Sequence, residues 1–387
     1  MIEQLFFELI RVAIGTQVTL SRPPSACEWK ELYNMAKKQS LVGICFAGLQ
    51  KLYNSVNQEP STHNPQPNST QNQEPRTKNL DEVQYLTWMG MAAKIQQRNE
   101  AVNRQCVELN AKLSADGIRS CILKGQAIAS LYTSTGSAQV GDLALLRQSG
   151  DIDLLVDCER KEAVDYVQKK GIKIGRWDYK HLDVEVFPDT EVEMHYRPGV
   201  SLNLWRNRRL QKFWKENAEE FYVNSTRIGG GEIVTPSSRM HTFYILHHTF
   251  RHLISGGIGL RQVMDLYFAL LNRNRDDDEW LKLQVKAFGM KDFAEAITWV
   301  IREVFGMSML SAPWIPNERE GRFVLNEIMI GGNFGKGDVR YNKADSHVGI
   351  LRNIIRRDLH LASHYGSEAL MAPLYYMWHF CWKRMNK

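Results

Sequence analysis

The chain has 387 residues, 43% hydrophobic and 24% charged, with a formal net charge of +6. This balance is ordinary for a globular protein and excludes a collagen-like, disulfide-dense or wholly disordered chain. The mild positive charge permits an anionic partner such as a nucleotide or RNA without demanding one.

The N-terminus, "MIEQLFFELIRVAIG", carries an acid at once and lacks a basic leader region, so it is expected to be an amphipathic helix and not a signal peptide. No apolar run reaches the length of a membrane span. Residues 1–54 carry helical spacing, with Ser25 a candidate N-cap. Residues 54–79 are rich in Asn, Gln, Pro, Ser and Thr and hold no apolar residue between Val56 and Leu80. Such a segment cannot pack a core, so a mobile loop is expected at about 54–80. A long helical pattern then ends at Gly117. Six scattered cysteines (Cys27, Cys45, Cys106, Cys121, Cys158, Cys381) form no CxxC pair. They suggest reduced core residues of a cytoplasmic protein.

Residues 118–198 read as a small α/β unit. "IRSCILKG" is a short buried strand running into Lys124-Gly125, and "QAIASLY" is helical. "TSTGSAQVGDLALLRQSG" is a loop, "DIDLLVD" a strand and "ERKEAVDYVQKKG" a helix. "KHLDVEVFP" and "TEVEMHYRP" are strands. Beyond Ser237 the pattern is helical to the end, beginning with "SSRMHTFYILHHTFRHLI". The expected division is a helical region over 1–117, an α/β core over 118–200 and a helical domain over 201–387.

Strand residues two apart point to one side. Asp151 and Asp153 therefore project together, while Ile152 and Leu154 face away. Two adjacent carboxylates repel unless something positive lies between them, and Mg²⁺ (or Mn²⁺) favours such a pair together with substrate phosphates. By the same parity Glu193, His195 and Arg197 share a strand face. Glu193 is the candidate third carboxylate, able to hold metal or to take a proton from an attacking hydroxyl. Asp183 and Glu185 are its rivals.

The order "ILKGQAIASLY", "RQSGDIDLLV", "VEMHYRP", then "ILHHTFRH" and "GLRQVMDL" resembles the uncharacterised nucleotidyltransferases of the polymerase-beta-like superfamily, over roughly residues 85–270. The resemblance implies an α+β fold, with a small mixed-sheet nucleotidyltransferase core embedded in a largely α-helical body. It implies that Asp151, Asp153 and Glu193 hold Mg²⁺ and a nucleoside triphosphate. Lys124 and Gly125 would lie near the phosphates. Arg147 is a candidate to steer phosphate or pair with Asp151, with a plain surface arginine the alternative. One departure stands out. The superfamily's Gly-Gly or Gly-Ser pair is here Gly125-Gln126, and Asp151 lies beyond the usual spacing. The small residues Ser134, Gly136, Ser137 and Gly141 are the other candidates for wrapping phosphate.

The implied activity is transfer of a nucleoside monophosphate to an acceptor hydroxyl on a small molecule, an RNA end or a protein. The alternative is an inactive nucleotide-binding or protein-interaction module on the same fold. His247, His248 and His252 lack the Glu of a zincin motif and are expected to pack or hydrogen-bond. The basic clusters "RNRR" (206–209) and "RNIIRR" (352–357) are expected to be solvated helix faces, with RNA or base binding the sharper reading.

Overall fold

The computed structural model describes residues 2–57, 76–132, 142–308, 311–341 and 347–386. Most of the expected mobile loop and all of Ser134, Gly136, Ser137 and Gly141 lie outside the described residues. In chain order the helices and strands are α1 (Ile2–Ile14), α2 (Ala26–Lys38), α3 (Val42–Asn57), α4 (Glu82–Ala115), β1 (Ser120–Ile122), α5 (Gln126–Ala129), α6 (Leu143–Leu146), β2 (Ile152–Val156), α7 (Arg160–Lys169), β3 (Ile174–Trp177), β4 (His181–Val184), β5 (Val192–His195), α8 (Leu204–Glu216), β6 (Asn224–Ile228), β7 (Gly231–Thr235), α9 (Ser238–Ser255), α10 (Leu260–Asn272), α11 (Asp278–Ala287), α12 (Lys291–Phe305), α13 (Glu318–Gly331), α14 (His347–Ala369) and α15 (Ala372–Met385).

Helix starts follow local chemistry. Ser25 accepts from the Glu28 N–H and Glu28 returns the bond, closing a capping box on α2. Asp81 caps the 34-residue α4, and Ser237 caps α9. Gly117 and Gly171 turn the chain out of α4 and α7 with positive φ.

The main sheet has strand order β1-β2-β5-β4-β3. β2 and β5 run parallel at its centre, and every other neighbour pair is antiparallel. The protein is α+β, a small mixed sheet in a largely helical body. One sheet face carries Ile122, Ile152, Leu154, Val184, Val192 and Met194, and packs on Val102, Cys106 and Leu109 of α4 and Ala163 and Val167 of α7. The opposite face carries Cys121 and Leu155 into the apolar cluster of the helical body, which includes residues of α1, α3, α9, α10 and α12. On that second face the parity of β2 and β5 also places Asp153 and Glu193.

Several expectations change. β3 and the β6–β7 hairpin were not visible in the sequence pattern. β6 is largely exposed, so it shows no apolar alternation, although Gly229-Gly230 at positive φ make its turn. β4 and β5 are shorter than their patterns suggest: β5 gives way to bonds from the Tyr196 and Arg197 N–H groups to the Lys180 carbonyl, and β4 to a local turn at Val186. All six cysteines are free. Cys45, Cys106 and Cys121 are buried, but Cys27 and Cys381 are exposed and so are not core residues. Among the described residues no helix is long and apolar enough to cross a membrane.

The basic clusters are partly structural. Arg206 pairs with Glu368 at 2.9 Å. Arg357 is buried and donates to the Leu253 and Ile254 carbonyls at the C-terminal end of α9. Of the aromatics near Arg206–Arg209, Trp214 is buried against Phe221 and Phe243, whereas Trp205 is exposed.

Candidate active site

The site is built where β1 stops. Leu123 still donates to the Asp153 carbonyl at 3.0 Å, extending the β1–β2 ladder by one bond. Gly125 then turns the chain at φ +62° into α5. That turn leaves Lys124 beside the entry of β2. Its Nζ lies 2.6 Å from Asp153 Oδ2 and 3.6 Å from Asp151 Oδ1. An L-side chain at the Gly125 dihedrals is strained, so Gly125→Ala is expected to cost about 1–3 kcal/mol. A denaturant unfolding midpoint checks this, and an unchanged midpoint would show that the turn does not depend on glycine.

Register brings the third carboxylate in. Asp153 stands opposite Glu193 across β2–β5, and Asp183 opposite Glu193 across β4–β5. Oxygens of Asp151, Asp153 and Glu193 all lie within 4.8 Å of one another. Asp153 is 1% exposed. Of the rivals, Glu185 turns away and pairs with Lys173 at 2.7 Å. Asp183 stays on the same face but is held by Arg176 at 2.9 Å and faces His181 at 3.3 Å.

His195 is the residue whose place the sequence did not reveal. It is fully buried, and its Nε2 lies 3.1 Å from Asp153 Oδ1 and 3.2 Å from Glu193 Oε2. It bridges the two strands' carboxylates. Burial and Lys180 oppose its charge, but hydrogen bonds to the two acids outweigh them and raise its pKa. Burial alone would raise the Glu193 pKa; the His195 hydrogen bond and the surrounding cations reverse this and hold it well below the usual carboxylate range. Asp153 behaves alike: burial is opposed and overcome by Lys124 and His195. For Lys124 burial disfavours the charge, yet Asp151, Asp153 and Glu193 together raise the pKa. The lysine is a firm ammonium.

The donor set suits a hard divalent cation. Its donors are carboxylate oxygens only, as Mg²⁺ prefers. Lys124 lies against Asp151 and Asp153, and Lys180 lies 3.9 Å from Glu193. The Lys124–Asp153 contact is close but lacks hydrogen-bond alignment, and Asp153 Oδ2, although buried, has no hydrogen-bond partner among the described residues. A cation binding at this oxygen competes with the Lys124 ammonium. His181, Glu193 and His195 form a second, overlapping group of ligand types.

Across from the acids, α9 and α10 close a narrow cleft lined by Lys124, Gly125, Asp151, Asp153, His248 and Arg261 among others. Arg147 is also at this cleft, but its guanidinium is committed to Asp265 and not to Asp151. Nε and Nη2 each donate at 2.7 Å to the two Asp265 oxygens, and the Tyr132 hydroxyl donates to the same carboxylate at 2.6 Å. Arg261 and Asp265 come from the "GLRQVMDL" segment. The available signal was a pair of opposite charges, Arg261 and Asp265, one helical turn apart in a largely apolar helix.

The three histidines of α9 divide. His247 is buried against Trp214 and Phe243. His248 lines the cleft and meets the His252 ring at 4.4 Å. Burial lowers all three pKa values, to about 3 for His247 and His252, so the rings are neutral. Among the described residues no group of three metal-ligating side chains includes them.

Among solved structures the chain is similar to an antigenic nucleotidyltransferase-like protein from Paracoccidioides brasiliensis, at 11% identity and a TM-score of 0.30, over 57% of this chain and 96% of that one. No curated protein matches the sequence. A family model described as an uncharacterised nucleotidyltransferase matches residues 25–306, well beyond the 85–270 over which the motifs are legible, and the chain belongs to that family.

Proposed function

We propose that the protein transfers a nucleoside monophosphate from a nucleoside triphosphate to an acceptor hydroxyl, with Asp151, Asp153 and Glu193 holding Mg²⁺ or Mn²⁺. The observation that carries this reading is the convergence of these carboxylates within 4.8 Å at the neighbouring strands β2 and β5, with Asp151 and Asp153 lining a cleft. A divalent cation bound there supplies charge neutralisation for the phosphates. Lys124 adds a positive charge beside the reacting phosphate, and the Gly125 turn allows close backbone approach. His195 positions Asp153 and Glu193 through its shared Nε2. With its carboxyl held low by His195, Glu193 is a better ligand than proton acceptor. In this division of labour residues 118–200 carry the chemistry and the helices of 201–387 hold the base and the acceptor. The acceptor is a small molecule, an RNA end or another protein.

A second reading draws on a specific feature. Gln126 replaces the small residue of the superfamily's usual pair, and Lys124 already neutralises part of the acid pair. Both suit a protein that binds nucleotide or a partner without turnover.

Calorimetric titration with the four ribonucleoside triphosphates, with and without Mg²⁺, separates the readings. Metal-dependent binding that falls at least about tenfold in Asp151→Asn is expected. Turnover that requires Mg²⁺ then selects the enzyme over the binding module. Failure of every nucleotide to bind the folded protein would overturn the enzyme and the nucleotide-binding module, leaving only a module that binds a partner.

A further inference from the structure

The cleft has two electrically opposite halves. Asp151 and Asp153 line one side; Arg147 and Arg261 line the other, with Gln262 beside them. These three side chains belong to residues only 3%, 8% and 5% exposed. Each keeps a donor without a hydrogen-bond partner among the described residues: Arg147 Nη1, Arg261 Nε and Gln262 Nε2. Other polar atoms of each side chain are engaged. Arg147 holds Asp265, Arg261 Nη1 donates to the Gln148 carbonyl at 3.0 Å, and Gln262 Oε1 accepts from the Gly259 N–H at 2.9 Å. The engaged atoms fix the orientation of the free ones.

Two guanidiniums here face one carboxylate, Asp265, so positive charge is in excess. A buried donor left unpaired costs about 1–3 kcal/mol. Three such donors on the arginine side of the cleft, with the unpaired Asp153 Oδ2 on the acid side, match a ligand group that only accepts hydrogen bonds and carries negative charge. Phosphate oxygens have that chemistry.

We infer that Arg147 Nη1, Arg261 Nε and Gln262 Nε2 form an anion subsite for the β- and γ-phosphates of the nucleoside triphosphate. This assignment rests on the nucleotidyl-transfer reading and gives the substrate a direction. The phosphate tail lies toward α10, and the α-phosphorus lies toward Asp151 and Asp153. As the acceptor oxygen bonds to the α-phosphorus, the bond from that phosphorus to the bridging oxygen breaks. The electron pair departs with pyrophosphate, whose charge the two arginines meet, and the acceptor proton is released to water. The subsite belongs to the leaving group, so it binds pyrophosphate without any metal.

The test is calorimetric titration of the full chain in EDTA with inorganic pyrophosphate, and with inorganic phosphate for comparison. Pyrophosphate is expected to bind at least about tenfold more tightly than phosphate, since two phosphoryl groups reach more of the donors. Gln262→Glu retains the oxygen that accepts from Gly259 and places a carboxylate against the arginines. It should abolish pyrophosphate binding while leaving the thermal midpoint unchanged or higher. Arg261→Gln should weaken binding at least about tenfold. Asp151→Asn should not weaken it, since it removes a nearby negative charge. Equal binding of phosphate and pyrophosphate, or full pyrophosphate affinity in Gln262→Glu, would overturn the subsite. Magnesium-dependent transfer without pyrophosphate binding would sink the subsite and leave the proposed activity standing. Pyrophosphate binding without transfer would do the reverse.

Discussion

Asp265→Ala is expected to destabilise the protein by about 3–5 kcal/mol, the cost of stranding a buried charge whose partner is removed. Arg147 is 3% exposed and gives two of its donors to that carboxylate. Tyr132 would lose its acceptor as well. Set against a typical stability of about 5–15 kcal/mol, this is a large fraction, and urea unfolding reads it directly. The double variant Arg147→Met/Asp265→Leu should recover most of the loss, because a well-packed apolar pair is often as stable as a buried ion pair. It should also lose pyrophosphate binding, which separates the structural from the binding role of Arg147. The acid limb offers a second check. Burial would raise the Asp265 pKa, but Arg147 overcomes this and lowers it. A lowered folded pKa contributes stability above the ordinary aspartate value of about 3.9, and that stability is lost as pH falls through the folded value. Asp265→Ala should therefore flatten the stability profile on the acid side. A loss below about 1 kcal/mol at neutral pH would mean that Arg147 finds another counter-charge.

Lys124→Met should make stability depend on magnesium. Without the ammonium, Asp153 stays buried beside Asp151 and Glu193 with only His195 to balance it. In EDTA the variant is expected to lose about 3 kcal/mol. Mg²⁺ at a hundred times its dissociation constant should restore about 2.7 kcal/mol, since a ligand that binds only the folded state stabilises by mass action. The wild type should gain less, because Lys124 competes for Asp153. Thermal or urea midpoints with and without Mg²⁺ measure both. Equal response of variant and wild type would count against a cation held by these three acids.

Strand parity made the acid face legible from sequence. A period of two leaves no freedom, so Asp151 and Asp153 had to project together, and Glu193 had to share a face with His195. The Lys124-Gly125 turn was legible because a strand ended on a residue that tolerates positive φ. Partnership at long range was not legible. Nothing local in "LALLRQSG" shows that Arg147 finds Asp265 on a helix that begins after Gly259, and Asp151 was the nearer acid in sequence. His195 was placed on the correct face, yet its bridging contact depends on β2 and β5 lying parallel, which only the three-dimensional pairing decides. The β6–β7 hairpin escaped for the opposite reason: exposed strands carry no hydrophobic period.

The Arg147–Asp265 bond spans 118 residues, and this has a bearing on how the protein is made. Chains emerge from the N-terminus, and domains form as their parts appear. When β5 has been synthesised, the carboxylate-bearing sheet is complete in sequence, but α10 has yet to follow. A nascent chain at that stage holds the acids without the wall that supplies Asp265, Arg261 and Gln262. Its Arg147 has no counter-ion, and the cleft has no second side. A prematurely terminated product ending before Asp265 thus carries the DxD motif but neither the second wall of the cleft nor the buried pair that secures it.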